Sequence, residues 1–311
     1  MKLNEFELIK TLTEKLVKTS KDLVVGIGDD AAVVKRDSFY EIISSDALVE
    51  DVHYKREWKD QVPNLYYYLG RKLLTISVSD IASMGGVPEF SVINLGVSLE
   101  SCEEDLVELY EGLSQACKDY GVTIIGGDTV SSATEFFDST VFGKANGYLL
   151  RSNAKPGDLV AVSGTLGDSK AGLEILLKRE ELDHYLVERF LNPQARVEEG
   201  KEALSLGIEC ATDVSDSFVF NLYTIAESSG VGIKVFEKEI PISESLVKYA
   251  KEKALHFALY GGEDYEIVIT FKEKLLDKIE KIGFKVVGEV VNEKGVFLDE
   301  RRLEKKGFLH F

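Results

Sequence analysis

Gly26-Ile27-Gly28-Asp29-Asp30-Ala31-Ala32-Val33-Val34 opens a β-rich part of the chain, and the fold turns on how it is read. Gly26, Gly28 and Ala31 satisfy the dinucleotide fingerprint G-x-G-x-x-A. That fingerprint needs a helix N-terminus directly after the glycines to receive a pyrophosphate. Here Ala32-Val33-Val34 reads as a strand, and Asp29 with Asp30 would repel phosphates. The doubly wound dinucleotide fold is therefore set aside. Walker chemistry does not replace it, since Gly143-Lys144 precedes Ala145 and Gly200-Lys201 precedes Glu202. Any nucleotide phosphates must be held by ions and by other backbone amides.

Upstream, residues 4–17 place Phe6, Ile9, Leu12 and Leu16 on one helical face. Runs at 23–27, 32–35 and 40–44 are predicted strands. The apolar stretch from Asn64 to Met84 predicts a buried helix, stopped by Gly85-Gly86 and Pro88. Strand, helix, strand and strand then follow at 90–97, 102–120, 122–125 and 139–148. The turn-rich Asn153-Ala154-Lys155-Pro156-Gly157-Asp158 divides the chain into units 1–150 and 151–311. The second unit is predicted to hold strands at 159–163, into Asp213, and at 232–236, 266–271 and 285–291. Its helices are expected at 169–178, 183–191, 195–206 and through Ser228. This mixture predicts a two-domain α/β (α+β) architecture.

The chain has 311 residues, 44% of them apolar, and a formal charge of −17. That charge argues against nucleic-acid and membrane-surface binding, both of which call for Lys and Arg clusters. Cys102, Cys117 and Cys210 have neither metal-ligand spacing nor an even number, which suits free thiols in a cytoplasmic setting. No run approaches the length of a membrane span.

The chemistry is expected where aspartates stand beside glycine or small hydroxyl residues. Five stretches qualify: Gly26 to Asp30, Ser44-Ser45-Asp46, Ser77-Val78-Ser79-Asp80, Gly126-Gly127-Asp128-Thr129 and Asp213-Val214-Ser215-Asp216. Each alone is more often a turn or cap. Together, converging on one cleft, they would hold hard divalent cations, which take oxygen ligands. Asp80 is the most telling, because it falls late in an apolar helix and a buried carboxylate needs a metal or a partner such as Arg71. The four histidines suggest no nucleophilic triad, and only His53, just after the second stretch, is retained as a candidate.

Taken in order, GIGDDAAVV (26–34), SSDALVEDVHY (44–54), VSDIASMGGVPEF (78–90), IGGDT (125–129), RSNAKPGD (151–158), VSGTLGDSKAGL (162–173), NPQAR (192–196), DVSD (213–216) and GGEDYE (261–266) span nearly the whole chain. This set resembles the thiamine-monophosphate kinases, within the aminoimidazole ribonucleotide synthetase-like fold group. The resemblance implies transfer of the γ-phosphoryl group of ATP to thiamine monophosphate, with several Mg2+ ions and a homodimer. Position by position, it makes Asp30, Ser44, Ser45, Asp46, Asp80, Asp128, Asp213 and Asp216 the magnesium set. It gives Gly127, Asp128, Arg151 and Ser215 to ATP, and His53, Glu263 and Phe308 to the acceptor. Asp46, Asp128 and Arg151 would act most directly in the transfer.

Two departures from the family pattern stand out: Asp216 is followed by Ser217-Phe218 instead of glycine, and Glu50-Asp51 replaces a glycine before the histidine segment. Other branches of the fold group call for a reactive N-terminal or C-terminal cysteine, which Cys102 and Cys210 do not supply. An aminoimidazole ribonucleotide synthetase and a noncatalytic Mg-nucleotide-binding protein remain as alternatives.

Overall fold

The computed structural model describes residues 5–16 and 20–307. The first half holds β1 (Leu23–Val25), β2 (Ala32–Lys35), β3 (Tyr40–Val49), β4 (Val87–Val97), β5 (Thr123–Ser131) and β6 (Phe136–Ala145). They form one sheet in the order β1-β2-β3-β6-β4-β5, in which only β4 and β5 run parallel. With it go α1 (Glu5–Thr13), α2 (Leu65–Ser83) and α3 (Glu103–Tyr120), the last making the β4-to-β5 crossover.

The second half carries β7 (Leu159–Ser163), β8 (Cys210–Asp213), β9 (Gly232–Val235), β10 (Ile267–Phe271), β11 (Phe284–Val291), β12 (Gly295–Leu298) and β13 (Arg301–Arg302). These pair in the order β13-β12-β9-β11-β7-β10-β8. Its helices are α4 (Asp168–Lys178), α5 (His184–Leu191), α6 (Val197–Ser205), α7 (Phe218–Ser229), α8 (Glu244–Ala250), α9 (Ala254–Tyr260) and α10 (Leu276–Lys281). The β12–β13 pair and the short α8 to α10 lie outside the elements expected from sequence.

β3 and β5 run well past their expected ends. β3 continues from Ser44 through Asp46 to Val49, and β5 carries Gly127 and Asp128 within it. Small hydroxyl and acidic residues suggest turns, but here they pair in register, Asp46 with Ser139 and Asp128 with Asn94. After Gly28 the chain enters β2 and forms no helix, in keeping with the rejected dinucleotide reading.

Helix α2 organises the molecule. Its residues are buried on nearly every side, Arg71, Lys72, Ser77 and Ser79 included. It packs on α3, on β3 and β6 of its own sheet, and on α6 and β8 of the second half. One apolar cluster runs from Val33, Leu69 and Phe137 into Ile175, Phe190 and Phe257, so the halves share a core. Its contact with α3 is backbone-close: a Cβ on Gly70 would stand 1.9 Å from the Leu109 carbonyl oxygen, and one on Gly112 1.9 Å from that of Tyr67.

Gly70→Ala and Gly112→Ala should each force these helices apart, costing about 1–3 kcal/mol in urea unfolding. Gly126→Ala, with nothing within 4 Å of its would-be Cβ, should leave the urea midpoint nearly unchanged.

Candidate active site

The last turns of α2 carry a row of polar groups into the junction of the two halves. Ser79 Oγ donates to Asp213 Oδ2 at 2.7 Å, and Ser83 Oγ donates to Asp30 Oδ2 at 2.9 Å. Asp80, between them, accepts from Ser44 Oγ of β3. Asp30 also accepts from Thr212 Oγ1 at 2.8 Å and from Arg151 Nε at 3.0 Å. Arg151 is delivered there by the preceding residue, since Leu150 bridges Cys210 at the β8 edge. Carboxylate oxygens of Asp30, Asp80 and Asp213 thereby come within 4.8 Å of one another.

Such crowding of like charge away from water shows in the acidities. Burial, with Asp30 beside it, pushes the Asp213 carboxyl up to about 7. Burial and the same neighbour raise Asp29 to about 6. Asp80 is pushed well above the usual carboxylate range by burial and by Asp46, Asp213 and Asp30. Burial raises Asp46 as well, against the opposing influence of Asp80 and Ser77. Asp46 Oδ2 is buried and meets no hydrogen-bond donor. A set of oxygen donors with an orphaned carboxylate oxygen beside it fits Mg2+-type cations, which would replace the missing protons.

Asp128 stands apart. It is exposed on the edge strand β5, and no hydrogen bond found among the described residues joins it to Asp30, Asp80 or Asp213. Its amide donates to Asn94 Oδ1 at 3.1 Å, Asn94 Nδ2 donates to Asp138 Oδ1 at 2.8 Å, and Ser45 Oγ donates to Asp138 Oδ2 at 3.1 Å. Alternation along β3 explains the split, because Ser44 and Asp46 point toward α2 and Ser45 points to the opposite face. Gly127 keeps β5 close to β4, where a Cβ would lie 1.7 Å from the Ile93 carbonyl oxygen.

Beside Asp46 opens a cavity of about 550 Å³. Ser45, Asp46 and His53 line it from the first half, and Lys170, Ser215, Asp216 and Glu263 from the second, over an apolar wall that includes Val52, Ile76 and Phe190. His53 Nδ1 accepts from the Val49 amide at 3.0 Å, which fixes the ring beside β3. Ser215 Oγ donates to Asp213 Oδ1 at 3.3 Å, linking the cavity to the acidic cluster. Glu263 sits in a left-handed backbone conformation, φ 56°, with its amide on the Ser215 carbonyl at 2.7 Å. Phe308 lies outside the described residues.

Sequence reasoning missed the support beneath Glu263. Lys72 of α2, 1% exposed, lies 2.9 Å from Glu263 Oε1 and 3.9 Å above the Phe190 ring, and donates to the Phe190 carbonyl at 3.0 Å. A charged pair, Arg71-Lys72, inside a helix expected to be buried was the available signal. Also missed was Glu266, whose buried carboxylate accepts from Arg196 Nε and Arg189 Nη2 at 2.7 and 2.8 Å.

Residues 28–145 match the family described as AIR synthase related protein, N-terminal domain, and residues 155–300 match its C-terminal domain. Thiamine-monophosphate kinase of Pyrococcus horikoshii is 35% identical over 98% of this chain and 94% of its own length. That of Bacillus subtilis is 34% identical over 99% of this chain and 100% of its own. The chain belongs to the thiamine-monophosphate kinase family. Within that family, a solved structure described as "AaThiL complexed with AMPPCP and TMP" superposes with a TM-score of 0.91 at 31% identity, covering 100% of this chain and 99% of the other. The crystal structure of the Aquifex aeolicus enzyme gives 0.84 at 29% identity, covering 98% of this chain and 100% of that one. The two-domain aminoimidazole ribonucleotide synthetase-like fold is thus the fold of this chain.

Both departures from the family pattern have a local account. Ser217, φ 173°, is in extended backbone that needs no glycine, accepts from the Phe220 amide at 3.1 Å to cap α7, and donates to the Lys306 carbonyl at 2.8 Å. Asp51 takes the left-handed conformation, φ 65°, that a glycine would adopt freely, and Glu50 receives Arg56 through two hydrogen bonds of 3.0 Å.

Raised folded-state acidities set the sign of the pH dependence. Between the ordinary carboxylate value of 3.8 and about 7, the folded chain holds a proton on Asp213 that the unfolded chain has lost, so stability falls as pH rises through that window. In chelator, the melting temperature should drop by several degrees from about pH 5 to about pH 8. Mg2+ should restore much of it, and Asp213→Asn should flatten the slope.

Proposed function

We propose that this chain phosphorylates thiamine monophosphate with ATP, giving thiamine diphosphate and ADP. One observation carries the reading: the full-length likeness, at a TM-score of 0.91, to a structure described as holding AMPPCP and TMP. The cavity beside the carboxylate cluster is consistent with it. So is the class of the enzyme, which as a family member is a kinase.

Asp30, Asp80 and Asp213, with the orphaned oxygen of Asp46, would hold Mg2+. Bound there, the ions supply charge neutralisation to phosphate oxygens in phosphoryl transfer. The remaining work belongs to the protein. A phosphate monoester has its second pKa near about 6, so the acceptor oxygen is already anionic at neutral pH and no strong base is needed. Glu263, held by Lys72, offers a carboxylate to the cationic thiamine portion, and the apolar wall excludes water around it. Arg151 is engaged with Asp30 and lies 3.9 Å from Asp29, so its first task is to orient Asp30. A nucleotide phosphate would share the guanidinium with that carboxylate.

We also assign Asp128, Gly127 and Ser215 to the nucleotide side, Asp216, Ser44 and Ser45 to the metal side, and His53 with Phe308 to the acceptor, with the division between domains near residue 150. A homodimer is part of this reading, supported by the β5 edge, where Ile125 and Val130 are 59% and 54% exposed. A cytoplasmic location is supported by three free cysteines. No helix among the described residues is long and apolar enough to cross a membrane. The noncatalytic alternative rested on Ser217-Phe218, and the extended Ser217 removes that ground.

ADP release should require thiamine monophosphate, ATP and Mg2+ together. Asp80→Asn should lower turnover at least about a hundredfold while the chain still folds. Turnover near that of the unaltered enzyme would remove Asp80 from the machinery.

A further inference from the structure

The acceptor cavity has an electrostatic problem of its own. Its rim carries Asp46, Asp216 and Glu263, in a chain of net charge −17, yet the proposed acceptor enters as a phosphate monoester. Among the described residues that line it, Lys170 contributes the single ammonium or guanidinium group. The other lysine nearby, Lys72, is sealed beneath Glu263.

Lys170 lies in the first turn of α4, half-buried. Its stem is seated against Gly261, where an added Cβ would stand 2.8 Å from Lys170 Cβ and 3.5 Å from its Cγ. The next glycine, Gly262, backs onto Ser215 and Asp216, whose carbonyl oxygens lie 2.9 and 2.6 Å from where its Cβ would be. The double glycine therefore brings α4 and the Ser215-Asp216 turn together as one wall. Among the described residues no carboxylate or other acceptor holds the Lys170 ammonium, whereas the neighbouring Arg189 and Arg196 are both committed to Glu266. A half-buried, unpaired ammonium facing a cavity of acidic rim is oriented for an anionic ligand.

We infer that Lys170 is a binding residue for the phosphate of the acceptor, the group that receives the transferred phosphoryl. The inference rests on the functional reading above. It adds a contact that distinguishes a phosphorylated acceptor from its unphosphorylated parent. The ammonium makes a charge-assisted hydrogen bond to a phosphate oxygen, and Glu263 on the same wall is left to the cationic ring.

Steady-state kinetics of Lys170→Met test it, with Lys170→Arg as the conservative reference. Loss of one charge-assisted hydrogen bond should raise KM for thiamine monophosphate about 10- to 100-fold. KM for ATP and competitive inhibition by unphosphorylated thiamine should stay as they are, and Lys170→Arg should recover most of the loss. A KM for thiamine monophosphate within about twofold of the unaltered enzyme overturns the inference. So does an equal weakening of thiamine, which would tie the lysine to the ring, or a rise confined to ATP. Lys170→Gln, with thermal unfolding measured alongside, serves if the methionine variant does not fold. If the unaltered enzyme forms no ADP with thiamine monophosphate, the functional reading itself has failed. Activity in the unaltered enzyme with an unchanged KM in the variants sinks only the role of Lys170.

Discussion

Mutual repulsion among buried carboxylates is the constraint around which this molecule is arranged. Asp30, Asp46, Asp80 and Asp213 reach one junction from the Gly28 turn, β3, α2 and β8, and burial there is costly for each. Hydroxyl groups from Ser44, Ser79, Ser83 and Thr212 soften that cost, as does the Arg151 guanidinium. They do not abolish it, for Asp46 keeps an oxygen without a donor. A fold that gathers such groups is poised to take up positive charge.

Helix α2 makes the gathering possible. Its apolar surface drives it into the shared core, while its polar residues are spaced to meet partners on both halves: Lys72 with Glu263, Ser77 with the Ser139 carbonyl, Ser79 with Asp213 and Ser83 with Asp30. Local sequence and tertiary packing agree along its length, which is the condition for a well-defined native state.

How far the sequence could be read depended on the range of the interaction involved. The ends of α2 were legible because Pro63, Gly85 and Gly86 are local signals, and Asp80 was legible because a carboxylate among Ile76, Val78 and Ile81 has no local explanation. The extension of β3 through Ser44-Ser45-Asp46 was not, since its pairing with β6 is a property of a partner 90 or so residues away. The same holds for the separation of Asp128 from the acidic cluster, which follows from β5 standing at a sheet edge. Lys72 was overlooked for a further reason: its partner, Glu263, belongs to a loop whose left-handed backbone at 262, 263 and 265 no short-range pattern announces.

Because α2 is tethered to both halves at once, the two cannot swing apart as rigid bodies without breaking the Ser79–Asp213 and Lys72–Glu263 contacts together. A clam-shell motion would thus sever the very links that shape the acceptor cavity. The 261–263 stretch is held as well, with the Gly261 amide on the Phe257 carbonyl and the Glu263 amide on that of Ser215, each at 2.7 Å. A ligand of that cavity is accordingly met by walls already fixed relative to one another.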